Sequence, residues 1–196
     1  MSEKFKLKYE VVSILRENII AGMTSFGLPV SESPGDGGWI VMESDQPSIR
    51  NADKAVLFWM EKIERLWGIG HKIIGYDEPS NTFNSKETFK EQQIWKIRII
   101  SSRNTKPVTD EEIPICTEDV SSMLTGWFNH LGREYFAYYG MTNLFIMAKD
   151  INTYKDKSDV NQWVTEFPLK IMLQKDFIAK VPAAILDDRG CVAIEG

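Results

Sequence analysis

Cysteine and histidine are scarce, with two of each in 196 residues. Cys116 and Cys191 lie far apart and in no metal-ligand spacing, which suits a reducing compartment and inert thiols. His71 falls in a glycine-flanked stretch that reads as a turn. His130 closes a helical pattern, where the helix dipole stabilises an imidazolium. Neither stands with Cys116 and a carboxylate in an order that a cysteine hydrolase uses. Positive charge is not in excess either. The 23 Lys+Arg meet 28 Asp+Glu, a net charge of −5, which is wrong for a protein that grips nucleic-acid phosphate. No run of about 18 apolar residues exists, so no bilayer-spanning helix is expected. Met1-Ser2-Glu3-Lys4-Phe5-Lys6 carries no apolar signal core, so no export is expected.

Motifs that carry chemistry are equally thin. Gly35-Asp36-Gly37-Gly38 invites a phosphate-loop reading, but a strand pattern follows it and no GK[ST] is present, so it reads as a turn. Asp110-Glu111-Glu112 and Asp187-Asp188 lack the alternation of an EF-hand and read as solvated loop charges. Trp95-Lys96-Ile97-Arg98-Ile99 interleaves aromatic and basic residues as a single-strand binder does, yet any half-buried strand demands the same alternation. No catalytic, cofactor-binding or metal-binding residue is assigned.

What the chain does have is a globular composition, 43% hydrophobic and 26% charged, in a length that fits one domain over 1–196. Such a chain can bury a core without disulfides or metals. Aromatics reach 11%, including 6 Trp, a quantity that serves either a well-filled core or a partner surface.

The periodicity predicts a helix over 6–20, with Val11, Val12, Leu15 and Ile19 on one stripe and Arg16, Glu17 and Asn18 opposite, stopped at Gly22. A loop over 22–37 leads to a strand at Trp39–Met42. Residues 55–67 and 73–76 read as a hairpin turning at Gly68-Ile69-Gly70-His71-Lys72. A polar loop over 77–88 precedes a strand over 89–100, and a second loop spans 104–116. Thr117 is the expected N-cap of a helix whose stripe is Val120, Met123, Leu124, Trp127, Phe128 and Leu131, ended by Gly132. Gly126 interrupts it and would let another element pack close. Strands follow at 144–149 and 163–173 around a polar turn at 152–160, with Pro168 placing the last at an edge or bulge. A tail begins near 182. The order predicts an α+β fold, a mostly antiparallel sheet flanked by helices.

Two stretches carry a resemblance. One is Val56-Leu57-Phe58-Trp59-Met60-Glu61-Lys62-Ile63-Glu64-Arg65-Leu66-Trp67-Gly68 with Tyr76-Asp77-Glu78 and Gln93-Ile94-Trp95-Lys96-Ile97-Arg98-Ile99-Ile100. The other is Phe167-Pro168-Leu169-Lys170-Ile171-Met172-Leu173-Gln174. With the two helices, the 50–175 region resembles the neck or tail-terminator proteins of tailed bacteriophages. The resemblance implies a virion protein made in the host cytoplasm. It would close as a ring, usually of six copies, capping the tail tube and joining it to the neck connector, with the sheath as a further neighbour. Genomic DNA would pass through the channel unbound, and no cofactor or catalytic residue is implied. Three features agree with this. A closed ring needs two different adhesive surfaces, and aromatics and long loops supply material for them. Loops of this length suit arms that settle on neighbours. Net negative charge lets DNA slide, with Asp110, Glu111 and Glu112 as candidate channel acids. Other tail-tube or head-completion components, a small cytosolic enzyme or ligand-binding domain, and a single-stranded nucleic-acid binder are the competing expectations.

Overall fold

The computed structural model describes residues 8–33, 36–44, 54–101, 115–155 and 163–182. Asp110, Glu111, Glu112, Asp187, Asp188, Cys191, the tail past 182 and all of the 104–116 loop but its last two residues lie outside the described residues. In chain order the elements are α1 (Lys8–Ser25), β1 (Val30–Ser31), β2 (Trp39–Glu43), β3 (Lys54–Asp77), β4 (Thr82–Ser101), α2 (Thr117–Asn129), α3 (Leu131–Tyr138), β5 (Met141–Asn143), β6 (Asn152–Lys155) and β7 (Trp163–Pro182). The strands form one sheet in the order β1-β2-β3-β4-β7-β5, with β6 also on β7. Only the β1/β2 and β2/β3 pairs are parallel. The fold is therefore α+β with a mostly antiparallel sheet, as the element pattern predicts.

Strand alternation sorts the side chains. Trp39 and Val41, Val56 and Phe58, Trp95, Ile97 and Ile99, and Phe167, Leu169, Ile171 and Leu173 face one way. They pack in one cluster with Val11, Leu15 and Ile19 of α1, Val120, Leu124 and Phe128 of α2, and Phe136 of α3. All three helices thus cover one face. Ile40, Ala55, Leu57 and Ile100 form a small separate cluster on the other. There Glu166 accepts from Arg98 and Tyr154 and pairs with Lys96, and the Arg98 guanidinium lies 4.8 Å from the centre of the Trp59 ring. Pro168 sits between the β7 segments that pair with β6 and with β5, where that side of β7 has no described partner.

Several expectations are corrected. Gly68–Lys72 is no turn: β3 runs through it without a break and the hairpin turns at 78–81, where Asn81 adopts φ 49. The glycines there mark a register shift between Gly68 and Gly70 instead. The expected 77–88 loop shrinks accordingly, because β4 begins at Thr82. In the 22–37 region α1 continues to Ser25 and β1 takes Val30–Ser31. Residues 144–147 are irregular, and the turn at 152–160 opens with β6. Cys116, not Thr117, is the N-cap of α2; Thr117 is buried and accepts a hydrogen bond from Thr165 at 2.8 Å.

The helix glycines depart from the expected roles. Gly27 ends α1, with φ 73, its N–H on the Thr24 carbonyl and the Leu28 N–H on the Met23 carbonyl, a Schellman motif. Gly22 and Gly132 lie inside helices and give room to one indole. A Cβ on either would come 2.8 or 2.9 Å from Trp127 Cδ1. Gly126 has nothing within 4 Å of its would-be Cβ, so no element packs there. The Trp127 Nε1–H donates to Asn18 Oδ1 at 2.7 Å, and Asn18 Nδ2 donates to the Gly132 carbonyl at 3.1 Å. Asn18, expected on the wet side of α1, is instead the buried clamp that joins the three helices. Gly132→Ala should lower stability by about 1–3 kcal/mol, since the Trp127 ring and backbone must shift. Thermal denaturation checks this as a fall of about 2–4 °C per kcal/mol.

Candidate interaction surface

The most distinctive part of the molecule is an arm. The core cluster ends at Met60 on β3, Trp95 on β4 and Leu173 on β7. The three strands continue to Asp77, Thr82 and Pro182. Residues 174–182 alone extend about 30 Å at roughly 3.3 Å per residue.

A polar collar marks the exit from the core. On the helix-covered face, Trp95 Nε1–H donates to Gln93 Oε1 at 2.9 Å, Gln93 Nε2 donates to Glu91, and Lys175 Nζ binds Glu91 Oε2 at 2.7 Å. Glu91 is buried, and the ammonium and the amide give its carboxylate the partners that burial demands. On the opposite face Glu64 accepts from Gln92 at 2.6 Å and from Lys170 at 3.4 Å.

Beyond the collar the arm stays amphipathic. The register places Ile73, Tyr76, Phe83, Phe89, Phe177 and Val181 on the face continuous with the core. Tyr76 and Phe83 are direct cross-strand partners, with ring centroids 4.9 Å apart. The other face is ionic apart from Ile178, which is 60% exposed between the charged pairs. Asp176 takes Lys86 at 2.6 Å and Thr88 at 2.7 Å, and Asp77 takes Lys180 at 2.7 Å. The Lys180 ammonium first, and the Ser80 hydroxyl second, hold the Asp77 carboxyl below its ordinary value.

The two outer strands of the arm differ. β3 has 24 residues against the 20 of β4, and four register shifts take up the difference. Bulges of this kind coil a ribbon and blunt an edge. The β4/β7 register runs from Thr82↔Pro182 to Ser101↔Trp163 without a shift. Past Leu173, β7 pairs outward with no strand among the described residues.

A second exposed apolar feature lies at the base of the arm. Asn129 exchanges two hydrogen bonds with the Ile146 backbone, at 3.0 and 2.8 Å. Asn143 Nδ2 donates to the Phe128 carbonyl at 2.9 Å, and the Leu144 N–H to the Lys170 carbonyl at 2.9 Å. Ile146 is thereby buried, while Leu144, Phe145 and Met147 are 41%, 60% and 51% exposed. The result is a fixed apolar knuckle rather than a loose loop.

The residues considered for chemistry are scattered. His71 lies on the arm with Nε2 2.6 Å from Ser85 Oγ, and His130 links α2 to α3. Cys116 gives its S–H to Asp119 at 2.9 Å, and burial, then that bond, pushes the thiol up to about 11. It stays protonated near neutral pH and is a poor nucleophile. Trp95 is fully buried while Lys96 and Arg98 serve Glu166 on the opposite face, so this run offers no stacking platform with cations beside it. Of Gly35-Asp36-Gly37-Gly38, the described part is a bend leading into β2, with Gly37 at φ 77. No group of three or more His, Cys, Asp or Glu sits together among the described residues. No helix there is long and apolar enough to cross a membrane. Sequence reading missed the arm and the knuckle. The alternation of Phe83 and Phe89 with Asn84, Lys86 and Thr88 was the available signal.

Neither protein-family models nor curated sequences give a match to this chain.

Two outcomes follow from the arm. Lys175→Met should cost about 3 kcal/mol in urea denaturation, because buried Glu91 loses its ammonium partner, and adding Glu91→Gln should restore most of it. The Asp77 tie strengthens the arm tip above about pH 4 and is lost as the pH falls through its depressed pKa. Protection of the tip amides, taken relative to the intrinsic exchange rate at each pH, should therefore fall in acid for the parent, and Asp77→Asn should show low protection at both pH values.

Proposed function

We propose that this chain is a structural subunit of a bacteriophage tail or neck, closing into a ring that caps the tail tube and joins it to the head connector. The observation that carries the reading is the three-stranded arm, which extends beyond the core an apolar face and a strand edge that pairs with no strand among the described residues. A protein that acts alone gains nothing from such a surface, and long unpaired edges invite association. The arm and the knuckle are different surfaces, which is what head-to-tail contacts require. The layout over 50–175 that resembles tail terminators adds to this.

In this reading the work is mechanical. Copies of the chain contact one another around the tail axis, with the tube protein on one side, the connector on the other and the sheath as a further neighbour. The net charge of −5 suits a channel through which DNA slides without being held. The role needs no cofactor and no catalytic residue.

Light scattering combined with negative-stain electron microscopy tests the reading, on the chain alone and after mixing with tail tubes that lack a cap. The expected result is a closed ring with a central opening, free or seated on the tube end. A monomer under both conditions and at every concentration would overturn it.

A further inference from the structure

We infer that the outer edge of the arm pairs with the same edge of a second copy of this chain, antiparallel and about a twofold axis through Ile178. The inference goes beyond the ring reading, whose contacts are head-to-tail, and does not depend on it.

The backbone limits the possible registers. The Leu144 N–H donates to the Lys170 carbonyl, so at Lys170 the main chain of β7 points away from β4. β7 pairs with β4 without a shift, and main-chain direction alternates along a strand. The N–H and C=O groups of Gln174, Asp176, Ile178 and Lys180 therefore point outward, where β7 meets no strand among the described residues. Pro182 keeps only its carbonyl. An incoming copy of β7 satisfies these groups only when it brings its own even-numbered residues opposite them. Its lane is bounded by β5, whose Met141 lies opposite Leu173, and by Pro182, where β7 ends. The stretch 174–182 has its midpoint at Ile178, so a second copy of it fills the lane when Ile178 faces its own counterpart.

The side chains single out the same register. Asp176 then stands opposite Lys180 of the second copy, and Lys180 opposite the second copy's Asp176. Within each arm, Lys86 already lies on Asp176 and Asp77 on Lys180. The junction so formed is a line of alternating charge: Lys86 and Asp176 of one copy, then Lys180 and Asp77 of the other. Centring the pair on Asp176 or Lys180 would bring like charges together. Centring it on Phe177 or Ala179 would leave both without an opposite charge across the junction. Ile178, an exposed apolar side chain on the ionic face, packs against its counterpart on the axis and leaves water. On the apolar face Phe177 lies beside Ala179 of the second copy, and Lys175, held by Glu91, beside Val181. Glu87, the further charge on that face, lies one strand inside the junction, opposite Phe177.

One face of a single arm, three strands about 4.8 Å apart over about 30 Å, offers roughly 400 Å². A standard stable contact buries about 800 Å² per partner. Edge pairing joins two such faces into one six-stranded strip, and main-chain bonds carry the contact itself. Pairing is set by concentration, since each copy supplies one edge.

Hydrogen exchange of the full chain at micromolar and millimolar concentration tests the pairing residue by residue. The expected result is an alternation. The amides of Asp176, Ile178 and Lys180 slow with concentration, by about threefold for each tenfold rise once the pair prevails, while those of Lys175, Phe177 and Ala179, bonded to β4, change little. Ile178→Cys, with Cys116→Ser and Cys191→Ser, should oxidise to a covalent dimer, because facing residues of a bonded pair have Cα atoms about 5.5 Å apart. Phe177→Cys in the same background, at a similarly exposed site, should give little, since its counterpart is about 7 Å out of step along the strands. Ile178→Lys puts two ammonium groups on the axis and should remove the concentration dependence, with circular dichroism and thermal midpoint retained. Even-numbered amides that exchange freely at millimolar concentration would overturn the pairing. So would protection that is equal at both concentrations, which would mean that the edge is covered within one chain. Equal yields of dimer from the two cysteine variants would overturn the register. The ring reading is decided separately, by the tail-tube experiment above.

Discussion

The buried Glu91–Lys175 pair is the constraint on which the arm depends. A carboxylate at this depth is tolerable only if an ammonium and an amide meet it. Lys175 is the second β7 residue past the last core leucine, and Glu91 lies on β4 opposite that leucine, Leu173. Gln93 passes the tie on to the Trp95 indole, inside the core. The same hydrogen-bonded line therefore begins in the body and ends in the arm. Without it, the strands beyond Leu173 would be held by ladder bonds, the ties of Asp176 and Asp77 to part-exposed lysines and the Tyr76–Phe83 pair, none of which reaches into the core. With it, the ribbon leaves the body in a fixed direction.

A fixed direction matters because the arm keeps its sidedness. β4 pairs with β7 over its whole length without a slip, so the face that is core at Ile97 is still the same face at Phe83. The four bulges are all in the β3/β4 pairing, which coils the outer strand without disturbing the inner pair. The sequence thereby separates two tasks on one ribbon. The ionic side, with Asp176 and Asp77 paired to lysines, is compatible with water. The aromatic side is a surface seeking cover.

The parts legible in the sequence are those where burial acts locally. Trp95, Ile97 and Ile99 alternate with Lys96 and Arg98, and Val120, Leu124 and Phe128 repeat at helical spacing, so that strand and that helix could be placed. Glycine is where local pattern and folded role part most. Gly22 and Gly132 look like helix stops, but their meaning lies in the Trp127 ring more than a hundred residues from Gly22 in sequence, which no local rule contains. Gly68 and Gly70 look like a turn but mark a bulge. The polar composition over 77–88 looks like a loop because strand residues beyond the core, half-buried at most positions, need few apolar side chains. Asn18 reads as a surface residue until the indole and the carbonyl that it joins are brought beside it. The knuckle was illegible for the same reason: Asn129 and Asn143 act through backbone groups that only folding delivers.

The mismatch between arm area and a standard interface bears on how such a molecule would be regulated. A contact strong enough to hold two copies would assemble wherever the chain is made. A contact of half that size needs a second contact before it lasts, and that second contact can come from ring closure or from a template that presents several copies at once. The β7 edge past Leu173, which pairs with no strand among the described residues, would add main-chain bonds only when a neighbour's strand is already aligned with it. Assembly would then respond steeply to local concentration, low for scattered copies and high at a tube end that gathers them. On the assembly reading, an arm of modest size would suit an element that joins copies at one place and leaves them separate elsewhere.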